Sequence, residues 1–157
     1  MGYIYLYTGT GGGKTTNALG LALRSVGHSH KVVIIQFMKW WKNTGEYKIR
    51  KRLEPHYEIY QFGRKGWIGL SNLGEEDKKL ARKGLKFAEK IVKEKKPHLL
   101  VLDEINLAVH CKLLEANDVL ALLESYLRGL VRRWLLRVCN ELQGLSHPRP
   151  TDVASSL

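Results

Sequence analysis

The run Gly9-Thr10-Gly11-Gly12-Gly13-Lys14-Thr15-Thr16 sets four glycines, an ammonium and three hydroxyls within eight consecutive positions. Glycines let backbone N–H groups approach an anion closely, and a helix opening directly after them adds its positive end. A triphosphate needs that combination: short-range donors, a lysine to reach its oxygens, and a hydroxyl such as that of Thr15 on a divalent cation. The usual phosphate loop has its first glycine five residues before the glycine that precedes the lysine. Here that position is Thr8, and the glycine comes one step later at Gly9, so the loop is a shortened variant. A second candidate centre is Asp103-Glu104, which closes the apolar run Leu99-Leu100-Val101-Leu102. A carboxylate at such a strand end suits the magnesium that bridges phosphate oxygens, and Glu104 could position water, metal or ribose. A buried strand followed by a helix cap is the plainer reading; a Gly-Lys-Thr loop in the same chain favours a metal role for Asp103.

Positioning these groups requires strands that end where helices begin. Tyr3 to Tyr7 is a short aromatic and apolar run, and Thr15 to Val26 carries Leu19, Ala22, Leu23 and Val26 at helical spacing, which predicts strand, loop, helix. Val32-Val33-Ile34-Ile35 lies in a near-continuous apolar run, the mark of a strand covered on both faces. Residues 40–56 read as a polar loop with a short helix, and Glu58 to Phe62 as a further strand. Glu75 to Glu94 predicts an amphipathic helix with Leu80, Leu85, Ala88, Ile91 and Val92 along its apolar stripe, ending before Pro97. Glu115 to Leu142 is Leu-rich and helical in pattern. Strands alternating with helices imply a three-layer α/β domain of the P-loop NTPase (RecA-like) type, a mostly parallel sheet flanked by helices.

Composition narrows the function classes. With 157 residues, 44% hydrophobic and 26% charged, the chain suits one globular domain with a buried core rather than a disordered segment. No apolar stretch reaches the roughly 18 to 20 residues of a membrane span, and Met1-Gly2-Tyr3 runs straight into a strand, so a cytoplasmic protein without membrane contact is expected. Cys111 and Cys139 suit neither a disulfide framework nor a zinc site and read as packing residues. The formal charge of +11, from 26 Lys and Arg against 15 Asp and Glu, favours anionic partners such as a nucleotide or nucleic acid. Acids and bases interleave between Glu75 and Lys96, however, as on a solvated helix face. An RNA-binding aromatic motif and a helix-turn-helix signature are both missing, so nucleic acid is not the expected partner. The six histidines, His28, His30, His56, His98, His110 and His147, are scattered, and none is assigned to catalysis.

Taken in order, these residues resemble the ATP:corrinoid adenosyltransferases that make adenosylcobalamin. The resemblance rests on the shortened loop from Gly9 to Thr16, on Leu21 to His28, on Val33-Ile34-Ile35-Gln36-Phe37-Met38-Lys39, on Asn43 to Glu46, Leu53 to His56 and Gly66-Trp67, and on Leu102-Asp103-Glu104-Ile105-Asn106. It covers residues 3–125. It implies transfer of the 5'-deoxyadenosyl group of ATP to a reduced corrinoid, with triphosphate leaving and Mg2+ or Mn2+ assisting. By that resemblance Gly9, Thr10, Gly11, Gly12, Gly13, Lys14, Thr15 and Thr16 grip the triphosphate, and Asp103 and Glu104 serve the metal and nucleotide. Arg24 assists the nucleotide, a surface salt bridge being its simpler account, and Trp67 lies beside the corrinoid. Trp40 and Trp41 either border the same pocket or anchor a loop. A flavodoxin-like reductant protein and a homodimer are further expectations. Such chemistry asks for positioning and charge neutralisation rather than an acid–base set. The alternatives are another P-loop ATPase or kinase, or a basic nucleic-acid binder.

The likeness stops after residue 126. Family members resume with a strand that ends in Thr-Gly-Arg-Gly, whereas here only Leu127-Arg128-Gly129 is found and Leu130 to Leu136 looks helical. The expectation is a nucleotide-binding adenosyltransferase domain at 1–126 and a divergent segment at 127–157, explained by truncation or frameshift. The sheet would then lack one strand and leave apolar surface exposed.

Overall fold

Burial on both faces is what the apolar strands require, and the arrangement of elements supplies it. The computed structural model describes residues 3–66, 69–128 and 134–138. Five strands, β1 (Tyr3–Tyr7), β2 (Val32–Phe37), β3 (Tyr57–Phe62), β4 (Leu99–Asp103) and β5 (Trp134–Val138), form one sheet in the order β1-β5-β4-β2-β3. Every pairing is parallel. The helices are α1 (Lys14–Gly27), α2 (Gly45–Lys48), α3 (Glu75–Glu94), α4 (Ile105–His110) and α5 (Ala116–Arg128), with 3-10 turns at Ile49–Arg52 and Leu70–Asn72. A P-loop NTPase-like α/β fold with a parallel sheet between helices is therefore as expected.

Alternation along each strand divides the core in two. Val33, Ile35, Phe37, Leu100 and Leu102 face one side and pack with residues of α3, α4 and α5. Val32, Ile34, Ile59, Leu99 and Val101 face the other, against Ala18 and Ala22 of α1. Those two alanines, four residues apart, lie on one face of α1 and are at most 1% exposed, so the helix backbone can approach the sheet closely. Tyr126 of α5 is fully buried and donates its hydroxyl to the Pro97 carbonyl at 3.2 Å, tying α5 to the turn before β4.

One expectation is overturned. Trp134–Val138 is a strand rather than part of a helix, and it lies between β1 and β4, pairing with both. A short apolar run cannot be assigned to helix or strand by periodicity alone, and here the place beside two parallel strands decides. The sheet thus continues past residue 126. The expected gap in the sheet is therefore not found; exposed apolar side chains occur instead on the edge strand β1, where Tyr3, Ile4, Tyr5 and Leu6 are 36 to 52% exposed.

Candidate functional site

Parallel pairing brings all five C-terminal strand ends to one edge of the sheet, the edge where ligands bind in open α/β folds. One row of register partners crosses that edge: Tyr7 beside Val138, Val138 beside Asp103, Asp103 beside Gln36, and Gln36 beside Gln61. Residues in one row share a face, and for Asp103, Gln36 and Gln61 it is the face that α1 covers. The polar end of this row therefore lies under the start of α1, where Lys14 and Thr15 stand.

The loop reaches that position through glycine conformations. Gly9 (φ 122°) and Gly13 (φ 92°), the residue that caps α1, occupy the left-handed region. At all four loop glycines, Gly9, Gly11, Gly12 and Gly13, a Cβ would meet nothing within 4 Å. Space is open beside them, as an approaching phosphate would need. Lys14 turns back into the loop, donating from Nζ to the Gly9 carbonyl at 2.7 Å and to the Gly11 carbonyl.

Asp103 is the hub. It is 1% exposed, and its carboxylate accepts from Thr15 Oγ1 at 3.1 Å, Gln36 Nε2 at 2.9 Å and Lys39 Nζ at 2.7 Å. Lys39 also donates to Thr15 Oγ1 at 3.3 Å and stands 4.0 Å from Glu104 Oε1. Gln61 Nε2 extends the network, donating to Gln36 Oε1 at 2.9 Å and to the Trp41 carbonyl at 3.1 Å. Glu104 is 8% exposed with φ 61°, a left-handed turn that redirects the chain from β4 into α4. The backbone holding Lys39 is clamped by Gly63, where a Cβ would lie 2.5 Å from Lys39 N and Met38 C.

Oxygen ligands suit a hard divalent cation, and Thr15 Oγ1 and Asp103 Oδ1 are 3.1 Å apart. Neighbouring ligands around an octahedral magnesium, with bonds of about 2.1 Å, are separated by roughly that distance. Among the described residues no group of three or more His, Cys, Asp and Glu could hold a metal on its own. The donor set thus fits a cation that shares its shell with phosphate oxygens and water.

Thr10 and Thr16 lie exposed on either side of the loop's centre. Arg24 is not brought to it: it sits in the last turn of α1, ten residues past Lys14 and thus about 15 Å along the helix. Trp67 lies outside the described residues, as does Cys139. The loop that leads to Trp67 is held by Arg64, which pairs with Asp77 at 3.2 Å and donates to the Asn72 carbonyl at 2.6 Å. Trp40 and Trp41 stack at a tilt, 5.7 Å apart. Cys111 is half-buried against the core, and burial raises its thiol pKa, as befits a packing residue. Sequence reasoning singled out neither Gln36, Lys39 nor Gln61 as a site residue. The available signal was a glutamine ending an otherwise apolar buried strand.

Comparison with known proteins accords with this geometry. The corrinoid adenosyltransferase of Escherichia coli K12 is 34% identical over 124 residues, which is 79% of this chain and 62% of that protein. The corrinoid adenosyltransferase of Pseudomonas aeruginosa PAO1 is 31% identical over 76% of this chain and 59% of its own length. Corrinoid adenosyltransferase CobA of Salmonella typhimurium LT2 is 32% identical over 79% of the chain and 62% of its own length. The chain spans about six tenths of the length of these relatives. Residues 1–130 match the family ATP:corrinoid adenosyltransferase BtuR/CobO/CobP, and with its shortened phosphate loop facing Asp103 across the strand ends, this chain belongs to that family.

Proposed function

We propose that this chain transfers the 5'-deoxyadenosyl group of ATP to a reduced Co(I) corrinoid and releases triphosphate, in cobalamin biosynthesis or salvage in the cytoplasm. The carrying observation is the contact of Thr15, next to the loop lysine, with Asp103 in a member of this family. In this reading the electron pair of Co(I) forms the bond to C5' while the C5'–O bond to triphosphate breaks, the leaving group taking that electron pair. No proton has to be moved by the protein in this reading.

The roles follow from charge and reach. Lys14 exchanges the Gly9 and Gly11 carbonyls for phosphate oxygens, while the open amides of Gly9 to Gly13, with Thr10 and Thr16 beside them, cradle the triphosphate. Thr15 and Asp103 hold a divalent cation, Mg2+ or Mn2+, which when bound neutralises charge on the leaving triphosphate. The Lys39 ammonium rests on Thr15 Oγ1 and on the second carboxylate oxygen of Asp103, Oδ2, so in the loaded site it turns toward phosphate or Glu104. Glu104 positions the nucleotide and Trp67 flanks the corrinoid. We assign this machinery to residues 1–126, with 127–157 adding β5 to the sheet, and expect a homodimer supplied with electrons by a flavodoxin-like protein. Incubation with ATP, magnesium and chemically reduced cobalamin tests the reading: adenosylcobalamin and triphosphate are expected in equal amounts. ADP or inorganic phosphate as the nucleotide product would overturn it in favour of a phosphoryl-transfer enzyme.

A further inference from the structure

Three of the scattered histidines meet at the far end of α1 from the phosphate loop. The His30 and His98 rings stack with centroids 3.8 Å apart, and the His28 ring lies 5.9 Å from that of His30. Their backbones are tied in place, since His28 N and His30 N both donate to the Ser25 carbonyl at 3.1 Å and His98 N donates to the Lys31 carbonyl at 2.8 Å. With Arg24 and Ser25 they line a cleft of about 370 Å3, within the size range of small-molecule sites. Its remaining wall is Tyr5, Leu21 and Leu99.

We propose that this cleft is a second ligand site, one that takes the phosphate group of a small organic phosphate whose apolar body lies on Tyr5 and Leu21. Among the described residues its lining holds one guanidinium, three imidazoles able to donate hydrogen bonds and no carboxylate, so the Arg24 charge has no acidic counterpart in the wall. Ser25 Oγ is buried and has no hydrogen-bond partner among the described residues, a cost that rotation toward a ligand oxygen would relieve. The negative end of the α1 dipole opposes an anion, but a charge-assisted hydrogen bond is the stronger of the two effects, so Arg24 alone outweighs it. A transition metal fits less well. Stacked rings hold their nitrogen lone pairs in near-parallel planes, interplanar angle 21°, rather than converging on one point.

The test is an NMR titration of the full chain, following the imidazole C–H signals of His28, His30 and His98 with phenyl phosphate as the probe. It is run in the wild type and in Lys14→Ala, where phosphate binding at the loop is weakened. Saturable shifts of these signals in both proteins are expected, with affinity about tenfold weaker in Arg24→Gln through loss of one charge-assisted hydrogen bond. His30→Gln, a second variant, should likewise weaken the response at His98. Inorganic phosphate should bind more weakly than phenyl phosphate; equal binding would overturn the part given to Tyr5 and Leu21. Signals that stay still or drift without saturating, an unchanged curve in a folded Arg24→Gln protein, or a response to stoichiometric Zn2+ but not to phosphate would overturn the site.

Discussion

At Asp103 one buried carboxylate serves three donors, and the consequences of losing its charge differ from those of losing a donor. Asp103→Asn keeps the volume but removes the negative charge that the Lys39 ammonium, 21% exposed, pairs with at 2.7 Å. The proposed adenosyl transfer should fall by about 100-fold or more, the scale of removing one electrostatic stabiliser from an active site. A steady-state assay checks this, with circular dichroism to establish that the variant is folded. Gly63 matters for a different reason. Gly63→Ala would force a methyl onto the backbone of Met38 and Lys39, and it should cost about 1–3 kcal/mol of stability by urea unfolding, since backbone cannot step aside as a side chain can. A midpoint equal to that of the wild type would show that the clamp is looser than the geometry implies.

Between elements, the link from β3 to the end of α3 runs through Glu58, Tyr60 and Lys95. Burial alone would raise the Glu58 carboxyl, but hydrogen bonds from the Lys95 ammonium and the Tyr60 hydroxyl outweigh it and hold it below its ordinary value of 4.5. A carboxylate depressed by folding adds stability that is present above the unfolded value and is lost as pH falls through the lower folded one. Wild type should therefore lose melting temperature below pH 4.5 more steeply than Glu58→Gln, a difference absent at neutral pH apart from a constant offset. Parallel pH series of thermal melts would show it, and identical slopes would rule it out. The same scale explains Arg64, whose pairing with Asp77 links the β3 exit to the first turn of α3, where Asp77 accepts from the Gly74 amide at 2.9 Å. That joint carries the loop toward Trp67.

For the whole molecule, ligand binding and the sheet edge set the expectations. Under the proposed function ATP with magnesium binds the folded chain and not the unfolded one, so at about 100 times its dissociation constant it should add about 2.7 kcal/mol of stability. A rise in melting temperature that disappears in Lys14→Ala is the expected result. Strand β1 exposes Ile4 and Leu6 at the edge of the sheet, a feature that invites pairing with another chain. Leu6→Lys should change stability by no more than about 0.5 kcal/mol, as surface substitutions do, while lowering self-association in sedimentation experiments. Unaltered sedimentation would mean that this edge is not where copies of the chain meet.

The sequence by itself determined the elements whose signals are local. Gly9 to Thr16 announces a phosphate loop and helix, Val32 to Ile35 a strand buried on both faces, and Glu75 to Glu94 a helix whose observed ends coincide with the pattern. In each the informative residues lie within one turn or a few alternations of one another, so spacing alone carries the message. Only the tertiary structure decided what depends on neighbours distant in sequence. Trp134–Val138 is a strand because β1 and β4 flank it, not because five mostly apolar residues prefer one conformation. Gln36 and Lys39 meet an aspartate more than sixty positions away because parallel register aligns the strand ends, and no window along the chain contains that fact. His28, His30 and His98 likewise become one cluster only when β2 and β4 lie side by side.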